Sequence, residues 1–241
     1  MSHALMLALA ALLVGVVKGG LGPMPGALLV PLLSTTMPVA QAVGATLPML
    51  IAGDWFALPV YWRKWDGQAL RLMLPAAVIG VGMGVALLTT LPDDALRRVL
   101  GAFTLIVALY KLGSDTLSAM AYRPRIWHGW LAGWGSGFGS ALANVGAPPI
   151  TAYLLLRRTA PTTFIGTTVI FFLIVNLLKL PIFVITEVLD GPTLVHTLWT
   201  LPLIPLGVWL GKELLRYLPP RKFEWLMLGL LFWTGISLSL G

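Results

Sequence analysis

Residues 125–158, RIWHGWLAGWGSGFGSALANVGAPPITAYLLLRR, decide how this chain folds. From Gly129 to Leu156 the stretch carries no charge, and it is long enough for the roughly 20 residues with which a helix crosses about 30 Å of hydrocarbon. It cannot run as one unbroken helix, because Pro148 and Pro149 lack backbone donors and the glycines lower helix propensity. Arginines close both ends, and basic loops stay on the cytoplasmic side of a membrane. A segment whose two ends lie on one side must enter, turn at membrane depth and return as a hairpin.

The rest of the chain has the same character. Of its 241 residues 58% are hydrophobic and 10% charged, against about 25% charged residues in a soluble domain. The runs Gly19 to Gly53, Leu72 to Leu91 and Gly191 to Gly211 are also free of charge. The formal charge of +7 comes from 16 Lys and Arg residues placed mainly in short loops between apolar runs, a membrane pattern that argues against a nucleic-acid partner. No cysteine is present, which excludes disulfides, thiolate metal sites and cysteine nucleophiles. His3, His128 and His196 have no metal-ligand spacing, and neither a nucleophile–base pair nor a phosphate loop is visible. The expectation is a protein that is not an enzyme and needs no cofactor. The apolar start, MSHALMLALAALLVGVV, lacks a basic flank and a cleavage site and is read as a retained segment.

An internal repeat runs through the chain. Gly20-Leu21-Gly22 matches Gly137-Phe138-Gly139, Gly26 matches Gly146, and Gly44-Ala45-Thr46 matches Gly166-Thr167-Thr168. Asp54 then matches Asn176, Pro59 matches Pro181, Asp66-Gly67 matches Asp190-Gly191, and Leu74-Pro75, Gly80 and Gly84 match Leu201-Pro202, Gly207 and Gly211. Two halves follow, 1–118 and 119–241, together one transport domain. Each opens on a broken segment, KGGLGPMPG in the first and SGFGSALANVGAPP in the second. Three uninterrupted spans follow in each half, near 39–61, 69–90 and 95–112, and near 161–186, 192–213 and 223–240. Arg63, Lys64 and Arg71 place one loop in the cytoplasm, whereas its mate, with Glu187 and Asp190, faces outward. The Asp93–Arg98 loop, whose charges cancel, gives no direction. Equivalent loops on opposite sides make the halves inverted copies. The expected fold is an all-α integral membrane protein of two inverted-topology repeats, each a Gly/Pro-interrupted hairpin followed by three transmembrane helices. It is multi-pass in the cytoplasmic (inner) membrane, with both termini outside. Inverted repeats with interrupted helices at matching positions mark secondary transporters and their midplane sites.

VKGGLGPMPGALLVPLL, DWFALPVYWRKWD and, above all, VGAPPITAYLLLRR followed by FIGTTVIFFLIVNLLKLP resemble the TauE/SafE family of sulfite and organosulfonate exporters over essentially the whole chain. The resemblance implies an anion carrier for sulfite, sulfoacetate or a related small sulfonate; the sequence pattern alone reaches only a transporter.

Charges and polar groups inside the apolar runs are functional candidates by default. Lys18, beside the first hairpin turn, is read as a cationic partner for the anion. Lys179 is either a second positive charge for substrate or a structural partner of Asp54. Asn176 lies three residues before it, on the same helix face. Asp54 is either a proton-coupling carboxylate or a hydrogen-bonded structural acid. Gly19, Gly20, Gly22, Gly26, Gly137, Gly139 and Gly146 are expected at the turns, where positive φ and close backbone approach suit an anion cradle. Gln41, Ser136, Ser140, Asn144 and Thr167 are polar groups near the tips. Gly80, Gly84, Gly207 and Gly211 have the spacing of tight helix packing, and the tryptophans belong to interfacial belts. A non-transporting membrane scaffold and a gated anion channel stand as alternatives. The partners expected are the bilayer and a small anion, with homodimerisation left open.

Overall fold

A computed structural model of the chain describes residues 3–20, 26–118 and 125–217, together with positions 229, 232, 233 and 236. Ten helices and no strand occur among the described residues. They are α1 (His3–Gly20), α2 (Gly26–Leu33), α3 (Val39–Ala57), α4 (Gly67–Thr90) and α5 (Asp93–Ser118), then α6 (Ile126–Ala143), α7 (Ala147–Leu156), α8 (Pro161–Ile185), α9 (Gly191–Thr200) and α10 (Leu203–Tyr217). By length and composition α4 and α8 can each cross a membrane, and α9 with α10 can do so as one bent span. Ile79, Met83, Ile185, Trp199 and Trp209 are exposed on the outside, an apolar surface that suits lipid.

The helix starts follow from local chemistry. The Asp66 carboxylate caps α4 by accepting from the amides of Gln68 and Ala69, both at 3.0 Å, and Asp190 caps α9 by accepting from the Thr193 amide at 2.8 Å. Pro161 opens α8 where a missing donor costs nothing. Further along, the expected uninterrupted span at 192–213 is corrected: α9 and α10 meet at a 45° bend over Leu201–Pro202. Pro202 cannot donate, and the chain crosses the break on the tighter bonds Leu201 N to Leu198 O and Ile204 N to Leu201 O. The span expected at 223–240 lies almost wholly outside the described residues.

Both broken segments are present as helix pairs, α1 with α2 and α6 with α7. In the second, the Ser136 hydroxyl accepts from the Ile150 amide at 3.1 Å, and a Cβ at Gly135 would touch Pro149. The two arms therefore run antiparallel, and Arg125 and Arg157 emerge at the same end.

Two helix pairs pack backbone on backbone. A methyl added at Gly80 would collide with the Trp134 carbonyl and Phe138 amide, and one at Gly137 with the Ala77 carbonyl. Likewise, a methyl at Gly207 would strike the Leu12 carbonyl and Val16 amide, and one at Gly15 the Ile204 carbonyl. Small residues one turn apart, Gly80 with Gly84 and Gly133 with Gly137, permit this approach of α4 to α6, as in membrane helix pairs generally. At the centre α3 packs on α8, with Leu47, Met49, Phe171 and Phe183 fully buried around them.

Candidate functional site

The α6–α7 turn spans Asn144, Val145 and Gly146 and is buried. Asn144 takes the left-handed conformation, with φ 54° and ψ 28°. Its amide and that of Val145 donate to the carbonyls of Ser140 at 3.1 Å and Gly139 at 2.9 Å, satisfying orphan acceptors of the last helical turn. The expectation of glycines with positive φ in this turn is corrected. Gly137 and Gly139 are helical residues of α6, Gly146 caps α7 with φ −89°, and none of the three has positive φ. Asparagine tolerates the left-handed well, and its side chain has work that glycine cannot do. Its Nδ2 donates to the Val43 carbonyl at 2.9 Å and to Thr46 Oγ1 at 2.7 Å, tying the hairpin to α3.

From the other side α8 delivers Lys179, which has no exposed surface. Its Nζ donates to the Ser140 carbonyl at 2.8 Å, to Ser140 Oγ at 3.0 Å and to Asn144 Oδ1 at 2.6 Å. Three acceptors account for the three ammonium protons. The Phe183 ring lies 5.6 Å away, one turn further along α8. One turn before Lys179, Asn176 Nδ2 donates to Asp54 Oδ2 at 3.2 Å, while Asn176 Oδ1 is buried without a partner. Asp54, itself buried, acts electrostatically on Lys179. A continuous polar path therefore joins α3, the hairpin turn and α8 in an apolar core.

The amide cradle expected of the hairpin is largely absent on α7. Pro148 and Pro149 have no N–H, and the Ile150 amide is taken by Ser136. Positive charge at this turn comes from Lys179 instead. Gln41 lies outside the network and donates to Thr193 Oγ1 at 3.3 Å, and Thr167 Oγ1 accepts from the Asp66 amide at 2.9 Å. Gly19 and Gly20 end α1; the Lys18 side chain and Gly22 lie outside the described residues.

Ion pairs among the described residues clasp opposite ends of the bundle. At one end Arg157 pairs with Asp66 at 2.8 Å and donates to the Tyr153 hydroxyl at 3.2 Å. Burial works against the Arg157 charge, but Tyr153 and Asp66 together raise its pKa above the ordinary value. At the other end Arg97 pairs with Asp93 at 2.7 Å and donates to the carbonyls of Ser34 and Met37, while Asp93 accepts from the Val39 amide at 2.8 Å. The cancelling charges of that loop thus bind the exit of α2 to the start of α5. Neither clasp was legible from spacing, because the segments they tie together lie 54 to 91 positions apart. Thr46 was missed as well, although it stands in the matched Gly-Ala-Thr and Gly-Thr-Thr triplets.

Described residues that are helical without a strand, with apolar side chains exposed on the outside and a buried lysine at a broken hairpin, have the anatomy of a membrane transporter. A sequence model described as sulfite exporter TauE/SafE matches residues 7–238, nearly the whole chain. The chain belongs to the TauE/SafE family. TauE/SafE proteins form a transporter family rather than an enzyme family, so this chain is a membrane protein of the sulfite and sulfonate exporter type. No curated protein and no solved structure matches it.

Proposed function

We propose that this TauE/SafE protein is a secondary carrier that exports sulfite or a small organosulfonate through a midplane site centred on Lys179, alternating access between two inverted halves. The observation that carries the reading is the fully buried Lys179 ammonium, all of whose protons end on Ser140 and Asn144, at the last turn of α6 and the break that follows it. A cation inside a membrane bundle is costly and is retained for function by default. Irregular backbone at that depth is tolerated only where it is buried in protein or lines a cavity. An arriving anion takes the place of Ser140 Oγ and Asn144 Oδ1 on Lys179. Charge-assisted bonds to sulfonate oxygens are the stronger ones.

Matched geometry supports the inverted halves. Gly44 abuts the Val188 carbonyl as Gly166 abuts the Lys64 carbonyl. Arg63 and Glu187 both take positive φ, at 59° and 58°. Gly15 meets Ile204 as Gly137 meets Ala77. This register pairs Gly15 with Gly137, at the separation that relates Asp54 to Asn176, and so shifts the first-hairpin match by five positions from Gly20. Asp54 and Asn176 touch each other, as equivalent residues do on a two-fold axis. Arg63, Lys64, Arg157 and Arg158 then mark the cytoplasmic face. An interior-negative potential favours exit of net negative charge by about 2.3 kcal/mol per charge per 100 mV.

Proteoliposomes loaded with sulfite, sulfoacetate, taurine or short carboxylates test this reading. Saturable flux of at least one sulfur oxyanion, abolished by Lys179→Met, is the expected result. Absence of saturable flux for every anion would overturn it.

A further inference from the structure

We infer that Asp54 and Asn176 form a proton site linked to the anion site, so that each anion bound at Lys179 is accompanied by one proton taken up by Asp54. The inference rests on the anion reading of Lys179 and adds the identity of the co-substrate.

Two observations carry it. The first is the unpartnered acceptor. Asn176 donates through Nδ2 to Asp54 Oδ2 at 3.2 Å and leaves Oδ1 buried with nothing to accept. A buried unsatisfied acceptor is costly. An amide is also amphoteric, with one end that donates and one that accepts. Facing an ionised Asp54 it offers Nδ2; rotated by half a turn about its terminal bond it offers Oδ1, to which a protonated Asp54 donates. Asn176 can therefore hold either charge state of its neighbour, as a glutamine could and a leucine could not. The Asp54 carboxylate gains a proton on one oxygen, no other bond changes, and the proton returns to solvent when the anion leaves.

The second observation is the shared charge. Lys179 follows Asn176 by one turn, and its three hydrogen bonds go to neutral groups. Asp54 acts on it as a negative charge. Among the described residues few other charges compete. Against α3, helix α5 brings Asp93 and Arg97, paired with each other where α3 begins, and exposed Asp94 and Arg98. Helix α9 brings exposed His196, which interacts with Asp190, and α6 brings His128, which accepts from the Arg125 amide at its far end. Helix α2 contributes no titratable side chain, and those of His3 and Lys18 on α1 and Lys111 and Asp115 on α5 lie outside the described residues. With an anion on Lys179 and Asp54 still ionised, two negative charges would act on the buried Lys179, an arrangement that burial penalises. Protonation of Asp54 removes that excess. Uptake of one proton with a monoanion leaves the net charge of the site unchanged. A monoanion crosses with no net charge, whereas a sulfite dianion crosses with one and still gains from the membrane voltage.

Calorimetric titration of the purified full chain tests the linkage, using a sulfonate with no titratable group in the working range and two buffers of different ionisation enthalpy. Uptake of close to one proton per sulfonate is expected, with affinity falling roughly tenfold per pH unit above the Asp54 titration. Asp54→Asn should bind without proton uptake and with a flat pH profile. Sulfonate binding by the unmodified chain with no proton uptake at any pH would overturn the linkage and leave the anion site standing. Absence of sulfonate binding at every pH would overturn the anion reading itself. Should Asp54→Asn not fold, the proton count of the unmodified chain decides alone.

Discussion

The α4–α6 seam and the centre around Asn144 and Lys179 are both built on α6, and they use opposite materials. Along the seam, Gly80, Gly84, Gly133 and Gly137 bring the two helices into close contact. Less than two turns further on, Ser140 and Asn144 turn the same helix into a set of acceptors for a buried ammonium. One face holds the helix in place, and the other end presents it to a charge. Glycines that look alike in sequence thus divide by partner: those facing α4 are there for contact, and the strained turn is given to asparagine.

The contrast can be broken most severely at Lys179. Substitution by methionine leaves the acceptors of Ser140 and Asn144 unmet and removes a buried positive charge that acts on Asp54. Stability should fall by about 3–5 kcal/mol, and flux should be lost; unfolding in detergent and liposome flux read the two effects. If Lys179→Met transports normally, the centre is merely structural. The seam predicts a different pattern. Gly80→Val or Gly137→Val should cost about 1–3 kcal/mol or more through backbone collision. Gly82→Val, where a Cβ meets nothing within 4 Å, should stay within about 0.5 kcal/mol. Those seam variants that fold should keep the affinity of the unmodified chain for sulfonate. A change in affinity without loss of stability would erase the division of labour.

Asn144 sharpens it further. Asn144→Gly keeps the left-handed backbone accessible but removes the bonds to Lys179, Val43 and Thr46, at a cost of about 1–3 kcal/mol. Its flux should fall, whereas a purely conformational role would leave flux intact.

The smallest effect belongs to the ends of the helices. The Thr193 hydroxyl and amide hold the Asp190 carboxyl below its usual pKa. A lowered folded pKa gives stability that is present above the unfolded value, about 3.9, and is lost as pH falls through the folded one. Asp190→Ala should therefore cost about 0.5–1 kcal/mol at neutral pH, and the difference from the unmodified chain should shrink in acid. A constant difference down to the lowest pH would show that the cap does not depend on charge.

Much of the architecture was legible because charge-free runs and capping residues are local signals. The spans expected at 69–90 and 161–186 coincide closely with α4 and α8, each opened by a residue suited to a helix start, Asp66 and Pro161. The bend at Pro202 was not legible. Leu74-Pro75 and Leu201-Pro202 read alike, yet α4 continues through Pro75 while α9 stops. What differs is the surrounding packing, which a local motif does not encode. The same limit hid the centre. Lys179, Asn176 and Asp54 stood out as charges and amides in apolar runs, but the acceptors of Lys179 come from a hairpin 35 and 39 positions earlier. The role of Asn144 was masked by neighbouring glycines that suggested a different turn.

The central claim is that the Lys179 centre is reached in turn from both faces of the membrane. The chain has no cysteine, so Ser140→Cys introduces a single thiol beside Lys179. In sealed liposomes of known orientation, a membrane-impermeant thiol reagent added from either side should label that thiol, and saturating sulfonate should slow labelling from both. Labelling from one side alone, or labelling untouched by sulfonate while flux persists, would contradict the account.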